Sequence, residues 1–282
     1  MYIQSLENTS MDQITQCFNQ AFANYFVPFN ATPAYLKRRW QATGVDLSLS
    51  FGVFEGQQLG GFIINAIDQW RGHLSAFNAA TGVIPEFRGQ RLVKKMYEKA
   101  IPRLQNTGVK QICLEVICEN EKAIKAYQSV GMKIGRRLRC FAGEISISGA
   151  IQAKVKVEKQ MIAQWEVYQT FWDFEPSWEQ FNPCVERARE AYTIYELHQD
   201  EQCLGYAIIN PQNGSIRQFA IHPEHRRRGL GKLLFYHLSK VRPKLSLNNI
   251  DDRSEATCTF LEQLGFDNPI NQYEMSGRIN GS

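Results

Sequence analysis

Apolar and polar positions along the chain alternate with two different periods. Residues 49–66, LSFGVFEGQQLGGFIINA, alternate around a Gly-containing turn and predict the two strands of a hairpin. Residues 191–210, AYTIYELHQDEQCLGYAIIN, predict a second one. Each hairpin is followed by another strand, 74–84 or 215–222, and then at once by a Pro-Glu turn. Past that turn the period lengthens. Leu92, Met96, Ala100 and Leu104 recur at helical spacing, as do Leu230, Leu234, Leu238 and, nearly, Val241. A further strand follows, QICLEVI (111–117) or KLSLNNI (244–250), and then a second helix closed by Gly131 or Gly265, the residue type that ends helices in a left-handed turn.

The two series are copies. GVIPEFRGQRLVKKMYEKAI (82–101) matches AIHPEHRRRGLGKLLFYHLS (220–239), pairing Pro85 with Pro223 at an offset of 138. AIKAYQSVGM (123–132) matches TCTFLEQLGF (257–266), pairing Gly131 with Gly265 at an offset of 134. Two matches at nearly one offset mean that a whole domain was duplicated. The seam is expected near 143–152, GEISISGAIQ, where aromatic and charged residues give way to Gly, Ser and small residues, so the predicted domains are 1–146 and 147–282.

Composition fits this picture. With 282 residues, 44% of them hydrophobic and 21% charged, the chain has the length for two domains and the make-up of a globular protein. No stretch approaches the roughly 20 apolar residues of a membrane helix, and the first ten residues have no leader pattern, so a cytoplasmic protein without membrane contact is expected. Seven cysteines without a CxxC pair signal neither zinc nor disulfides. His222 and His225 have no partner at ligand spacing, so no metal is expected. The net charge of +4 is too modest for nucleic-acid binding and fits a phosphate-bearing ligand. Nothing in the sequence bears on assembly state.

The strand-loop-helix carries the chemistry. A helix that starts directly after a strand presents unpaired N–H groups and the positive end of its dipole to one spot, and that spot binds anions. In Arg226, Arg227, Arg228, Gly229, Leu230 and Gly231 the glycines let the backbone approach a phosphate, and arginine adds charge nearby. The pattern is neither the dinucleotide GxGxxG nor the P-loop GxxxxGK[ST].

Those residues resemble the GCN5-related N-acetyltransferases (GNAT), whose coenzyme motif is [Q/R]-x-x-G-x-[G/A]. Arg226, Gly229 and Gly231 satisfy it; the upstream Pro-Glu and the closing Leu264, Gly265 and Phe266 also fit. The first copy, Arg88, Gly89, Gln90, Arg91, Leu92 and Val93, has Arg91 and Val93 where glycines are usual. Its downstream segment LEVICENEKAIKAY resembles the ribosomal-protein alanine acetyltransferases in the spacing of Glu115, Asn120 and Tyr127.

The resemblance implies a mixed-sheet α/β fold in two tandem copies, acetyl-CoA as co-substrate and an amine acceptor. It implies Glu115 as general base, Tyr127 as general acid and Asn120 beside the coenzyme. Neutral amine is needed for attack, and α-amines (pKa about 8) or lysines (about 10.4) are largely protonated at neutral pH, so a base must help. A backbone N–H near Val83 or Ile221 would polarise the thioester carbonyl. The second copy has Asn249 and Leu261 at the aligned acid-base positions, which predicts that the first copy does the chemistry and the second binds coenzyme. Plainer readings stand beside these: Tyr127 as a packing aromatic, Glu115 as an exposed edge carboxylate, and the whole chain as a non-catalytic acyl-CoA sensor. The aromatic groups Phe22, Tyr25, Phe26 and Phe29, and Phe171, Trp172, Phe174 and Trp178, are expected in the acceptor-side segments, mostly as core.

Overall fold

The computed structural model describes residues 1–26, 29–145 and 155–279. In chain order the first repeat contributes β1 (Tyr2–Ser5), α1 (Met11–Phe22), α2 (Pro33–Thr43), β2 (Phe51–Glu55), β3 (Gln58–Trp70), β4 (His73–Val83), α3 (Leu92–Asn106), β5 (Gln111–Ile117), α4 (Glu121–Gln128) and β6 (Lys133–Glu144). The second contributes β7 (Lys156–Gln160), α5 (Trp165–Tyr168), α6 (Asn182–Arg187), β8 (Thr193–Gln199), β9 (Gln202–Ile209), β10 (Ser215–Ile221), α7 (Leu230–Val241), β11 (Lys244–Asp251), α8 (Glu255–Gln263) and β12 (Asp267–Arg278).

Two compact units result: unit 1 is Met1–Gly135 with Tyr273–Ser282, and unit 2 is Arg136–Gln272. Unit 2 is one continuous stretch, whereas unit 1 takes its last segment from the C-terminal end of the chain. Residues 146–154, which hold most of the expected seam, lie outside the described residues.

In unit 1 the strands follow the order β1-β2-β3-β4-β5, antiparallel up to β4 and parallel between β4 and β5. The parallel step requires a crossover, which α3 supplies. The helices start where short polar side chains cap them: Ser10 accepts from Gln13 N–H, and Thr32, followed by Pro33, accepts from Tyr35 N–H. In unit 2, β11-β10-β9-β8-β7 repeat the order, and β6 lies antiparallel beside β11. The acceptor-side segment differs between the copies. Unit 1 has the 12-residue α1 and the 11-residue α2, while among its described residues unit 2 has only the short α5, α6 and single turns of 3-10 helix.

The strands are covered on both faces. In unit 2, Ile209, Ile216 and Phe219 pack with α7 and α8, and on the other face Tyr206, Ile208 and Ala220 pack with Tyr168, Phe171 and Val185. The alternation of side chains along β9 and β10 separates the two sets.

Candidate active site

Both copies reach the loop in the same way. A turn of 3-10 helix, Pro85–Phe87 or Pro223–His225, follows the strand, and the backbone then makes two left-handed residues before the helix. In unit 1 these are Gly89 (φ 81) and Arg91 (φ 55); in unit 2 they are Arg227 (φ 61) and Gly229 (φ 82). The conformation is shared, and the copies differ in which of the two positions carries glycine. So Arg91 does not break the loop; it sits in a region that costs a side chain about 1 kcal/mol or more. Neither α3 nor α7 has a side-chain cap, so their first-turn amides remain available, and a Cβ added at Gly89 or Gly229 would meet nothing within 4 Å. The open amides fit an anionic group such as a diphosphate.

The leading arginines of the two motifs act on the protein itself. Arg88 donates to the carbonyls of Val83 (3.0 Å) and Ala21 (3.0 Å). Arg226 donates to those of Ile221 (3.1 Å) and Phe171 (2.7 Å) and pairs with Asp173 (2.5 Å). Each latches its loop to the end of the preceding strand and to the acceptor-side segment. In unit 2 Arg226, Arg227 and Lys232 all line the cleft beside the loop. His222 is also structural: its Nδ1 accepts from Glu224 N–H, and its ring meets Phe171 edge-on.

Next to each loop the sheet opens. β4 and β5 pair only from Ser75↔Gln111 to Asn78↔Leu114, although β4 continues to Val83. β10 and β11 pair only at Ser215↔Ser246 and Ile216↔Leu247, although β10 continues to Ile221. A bulge marks each divergence, at Ile64/Asn65 in the β3–β4 register and at Ile216/Gln218 in the β9–β10 register. Val83 and Ile221 thus end their strands beyond the last rung shared with β5 or β11. In unit 2 the opening is a cleft of about 430 Å³ that runs from Gly229 and Gly231 to Gln180, Gln218 and Asn249. At that far end Trp172 Nε1 donates to Tyr206 Oη (2.7 Å), Tyr206 donates to Gln218 Oε1 (2.8 Å), and Gln218 Nε2 donates to the Gln180 carbonyl (2.6 Å).

Glu115 and Tyr127 lie on opposite faces of unit 1. Leu114 pairs with Asn78, whose Oδ1 accepts from Thr81 (2.8 Å), and Glu115, one residue on, faces the other way. Tyr127 on α4 is buried; burial pushes its hydroxyl up to about 12, and a hydrogen bond with Thr81 partly offsets the shift. Tyr97 on α3 is fully buried, which pushes its hydroxyl upward as well. Asn78, Thr81 and Tyr97 are polar groups on the α3 side of unit 1 that the motif reading passed over; their only signal was Asn and Thr inside an otherwise apolar strand. Asn120 caps α4, accepting from Ala123 N–H (3.2 Å), and reaches Tyr25 Oη at 3.5 Å.

Unit 2 lacks these groups. Leu261 is fully buried in the core at the Tyr127 position. The strand register aligns Leu247 with Leu114, so Asn248 is the direct counterpart of Glu115, and a bulge centred on Asn249 (φ 64) follows. Gly231 is tightly fitted: a Cβ there would come within 2.9 Å of the Phe260 ring. Unit 1 has Val93 and Ala126 at the matching positions, so the large and small partners are exchanged.

The model of the Acetyltransferase (GNAT) family matches residues 13–132 and again residues 158–266. The chain belongs to this family. It carries two GNAT domains in tandem, on the mixed α/β fold expected from the motifs. A tandem GNAT protein from the clavulanic acid biosynthesis pathway, solved without AcCoA, covers 100% of the chain with 99% of its own length at a TM-score of 0.70 and 13% identity. A GCN5-related N-acetyltransferase from Sphaerobacter thermophilus aligns at TM-score 0.73 and 13% identity, covering 100% of this chain and 96% of that one. At such identities the likeness is one of fold. In sequence, 90 residues are 29% identical to N-alpha-acetyltransferase 30 of Schizosaccharomyces pombe, a match over 32% of this chain and 60% of that protein's length. Among the described residues no helix is long and apolar enough to cross a membrane.

Proposed function

We propose that this GNAT protein transfers an acetyl group from acetyl-CoA to a primary amine of a small molecule or peptide by direct attack, in the cytoplasm, with the chemistry in unit 1 and coenzyme binding alone in unit 2. The observation that carries this reading is the loop of residues 88–93, which has the same open left-handed backbone as the full motif at 226–231 and belongs to the copy whose aligned positions carry Glu115 and Tyr127. The coenzyme supplies an activated thioester; the amides of Gly89, Gln90, Arg91, Leu92 and Val93, or of Arg227, Arg228, Gly229, Leu230 and Gly231, hold its diphosphate.

Glu115 faces the side of the sheet opposite Tyr127, and there it takes the proton of the attacking amine, directly or through water. The Val83 N–H meets the carbonyl oxygen as charge develops on it. Tyr127 holds the departing sulfur by a hydrogen bond. Its hydroxyl, pushed up to about 12, lies well above a thiol at about 8.5, so donating the proton outright is uphill and the sulfur takes its proton from solvent. In unit 2 the matching positions carry Asn248 and Leu261, neither of which can take up or give a proton.

The test is thiol release from acetyl-CoA over a panel of amines and peptide N-termini, read beside calorimetric coenzyme binding. Glu115→Gln is expected to lower turnover about 10²-fold or more with coenzyme affinity kept. If Glu115→Gln and Tyr127→Phe leave turnover intact while Gly229→Asp abolishes it, the assignment of chemistry to unit 1 is wrong. Tight coenzyme binding with no thiol released for any acceptor identifies a sensor instead.

A further inference from the structure

On the face of unit 2 away from α7 and α8, the β8–β9 hairpin gathers three side chains of ligating chemistry. Glu196 and His198 stand two residues apart on β8, and Cys203 pairs with His198 across the hairpin. One atom of each, a Glu196 carboxylate oxygen, a His198 ring nitrogen and Cys203 Sγ, lies within 4.8 Å of the others. Glu196 is fully buried; His198 and Cys203 are half-buried beside the hairpin turn, so the trio is reachable from solvent.

The fold does not require such residues there. In unit 1 the corresponding positions of the β2–β3 hairpin are Gly52, Phe54 and Leu59, in the same register with the bulge at the same place. They also converge, since a Cβ on Gly52 would fall 2.6 Å from Leu59 Cδ1 and 3.1 Å from Phe54 Cε2. One copy fills this junction with apolar packing. The other has replaced all three members with a carboxylate, an imidazole and a thiol.

We propose that Glu196, His198 and Cys203 form a binding site for a zinc-like divalent cation. Thiolate and imidazole select a borderline-soft metal over magnesium or calcium. Carboxylate plus thiolate balance its two positive charges, which removes the cost of burying a net charge. Three protein ligands leave a fourth position for water. The Tyr168 hydroxyl donates to Glu196 Oε1, leaving Oε2, now 2.6 Å from His198 Nε2, to face the metal. On binding, that hydrogen bond opens, the single proton of the neutral imidazole passes from Nε2 to Nδ1, and the Cys203 thiol gives its proton to solvent: one cation in, one proton out.

Metal-free full-length protein titrated with cobalt(II) tests this. Expected are one equivalent bound per chain with a thiolate-to-cobalt charge-transfer band, release of one proton in weak buffer, and displacement by zinc. Cys203→Ala should abolish the band, while Cys118→Ala, which alters another half-buried thiol, should leave it. Tyr168→Phe should weaken binding about 10-fold, by loosening the hold on the carboxylate. Zinc should raise the melting temperature of the wild type and not of Cys203→Ala, with a native-like near-ultraviolet circular dichroism spectrum of that variant as the check that it folds. Absence of the band at one equivalent, or its survival in Cys203→Ala, overturns the proposal.

Discussion

The two units share a chain path and invert its polarity. On the sheet face toward α3 and α4, unit 1 places Asn65, Asn78, Thr81, Tyr97 and Tyr127, where unit 2 has Ile209, Ile216, Phe219, Phe235 and Leu261. On the opposite face the roles change over. Unit 1 stacks Phe18 on Phe62 above Gly52, while unit 2 stacks Tyr168 on Tyr206 and joins them to Glu196 and Gln218. Burial pushes the Tyr168 and Tyr206 hydroxyls upward, and in Tyr168 the Glu196 charge adds to it. One backbone thus supports a polar layer on either side of the sheet, provided that the hydrogen bonds within that layer close.

That comparison can be broken most directly by moving one residue across it. Gly52→Glu puts a carboxylate among Leu6, Phe54 and Leu59 without the tyrosine and histidine that Glu196 has, and it should cost about 3–5 kcal/mol or prevent unit 1 from folding. Urea unfolding and soluble yield report it; a cost under about 1 kcal/mol would mean that the polar layer is not context-bound.

Gly231→Val should cost about 1–3 kcal/mol by pressing on Phe260, and a second change, Phe260→Ala, should recover much of it by restoring unit 1's pairing of Val93 with Ala126. Additive effects in that double-mutant cycle would show that the two positions do not trade volume. A smaller effect is expected in alkali. Tyr127 has its folded-state pKa raised to about 12, so its contribution is complete below the unfolded value near 10 and is lost as pH climbs from 10 toward 12. Tyr127→Phe should therefore flatten the loss of stability over that window, with Tyr97 accounting for part of what remains. Smallest is Arg91→Gly, which relieves a left-handed side chain and should raise the stability of unit 1 by about 1 kcal/mol, whereas Arg91→Ala should not.

The duplication, the element order and the unit 2 loop were legible because each rests on local spacing: Pro85 and Pro223, Gly131 and Gly265, Gly229 and Gly231. The loop at Arg91 was less so, since a non-glycine residue in left-handed backbone leaves no trace in composition. The latches made by Arg88 and Arg226 were not legible, because a guanidinium beside a phosphate loop and one latched to the Val83 or Ile221 carbonyl have the same sequence. The polar layers were out of reach for a different reason. Glu196, His198 and Cys203 meet only through hairpin register, and Asn78, Thr81, Tyr97 and Tyr127 only through packing of β4 against α3 and α4.

The make-up of unit 1, with Tyr273–Ser282 added to Met1–Gly135, sets an order of events during synthesis. Unit 2 is uninterrupted in sequence and is fully supplied once residue 272 has left the ribosome. The earlier-made unit must wait for residues 273 onward before its own complement is whole, so the half translated first is the half completed last.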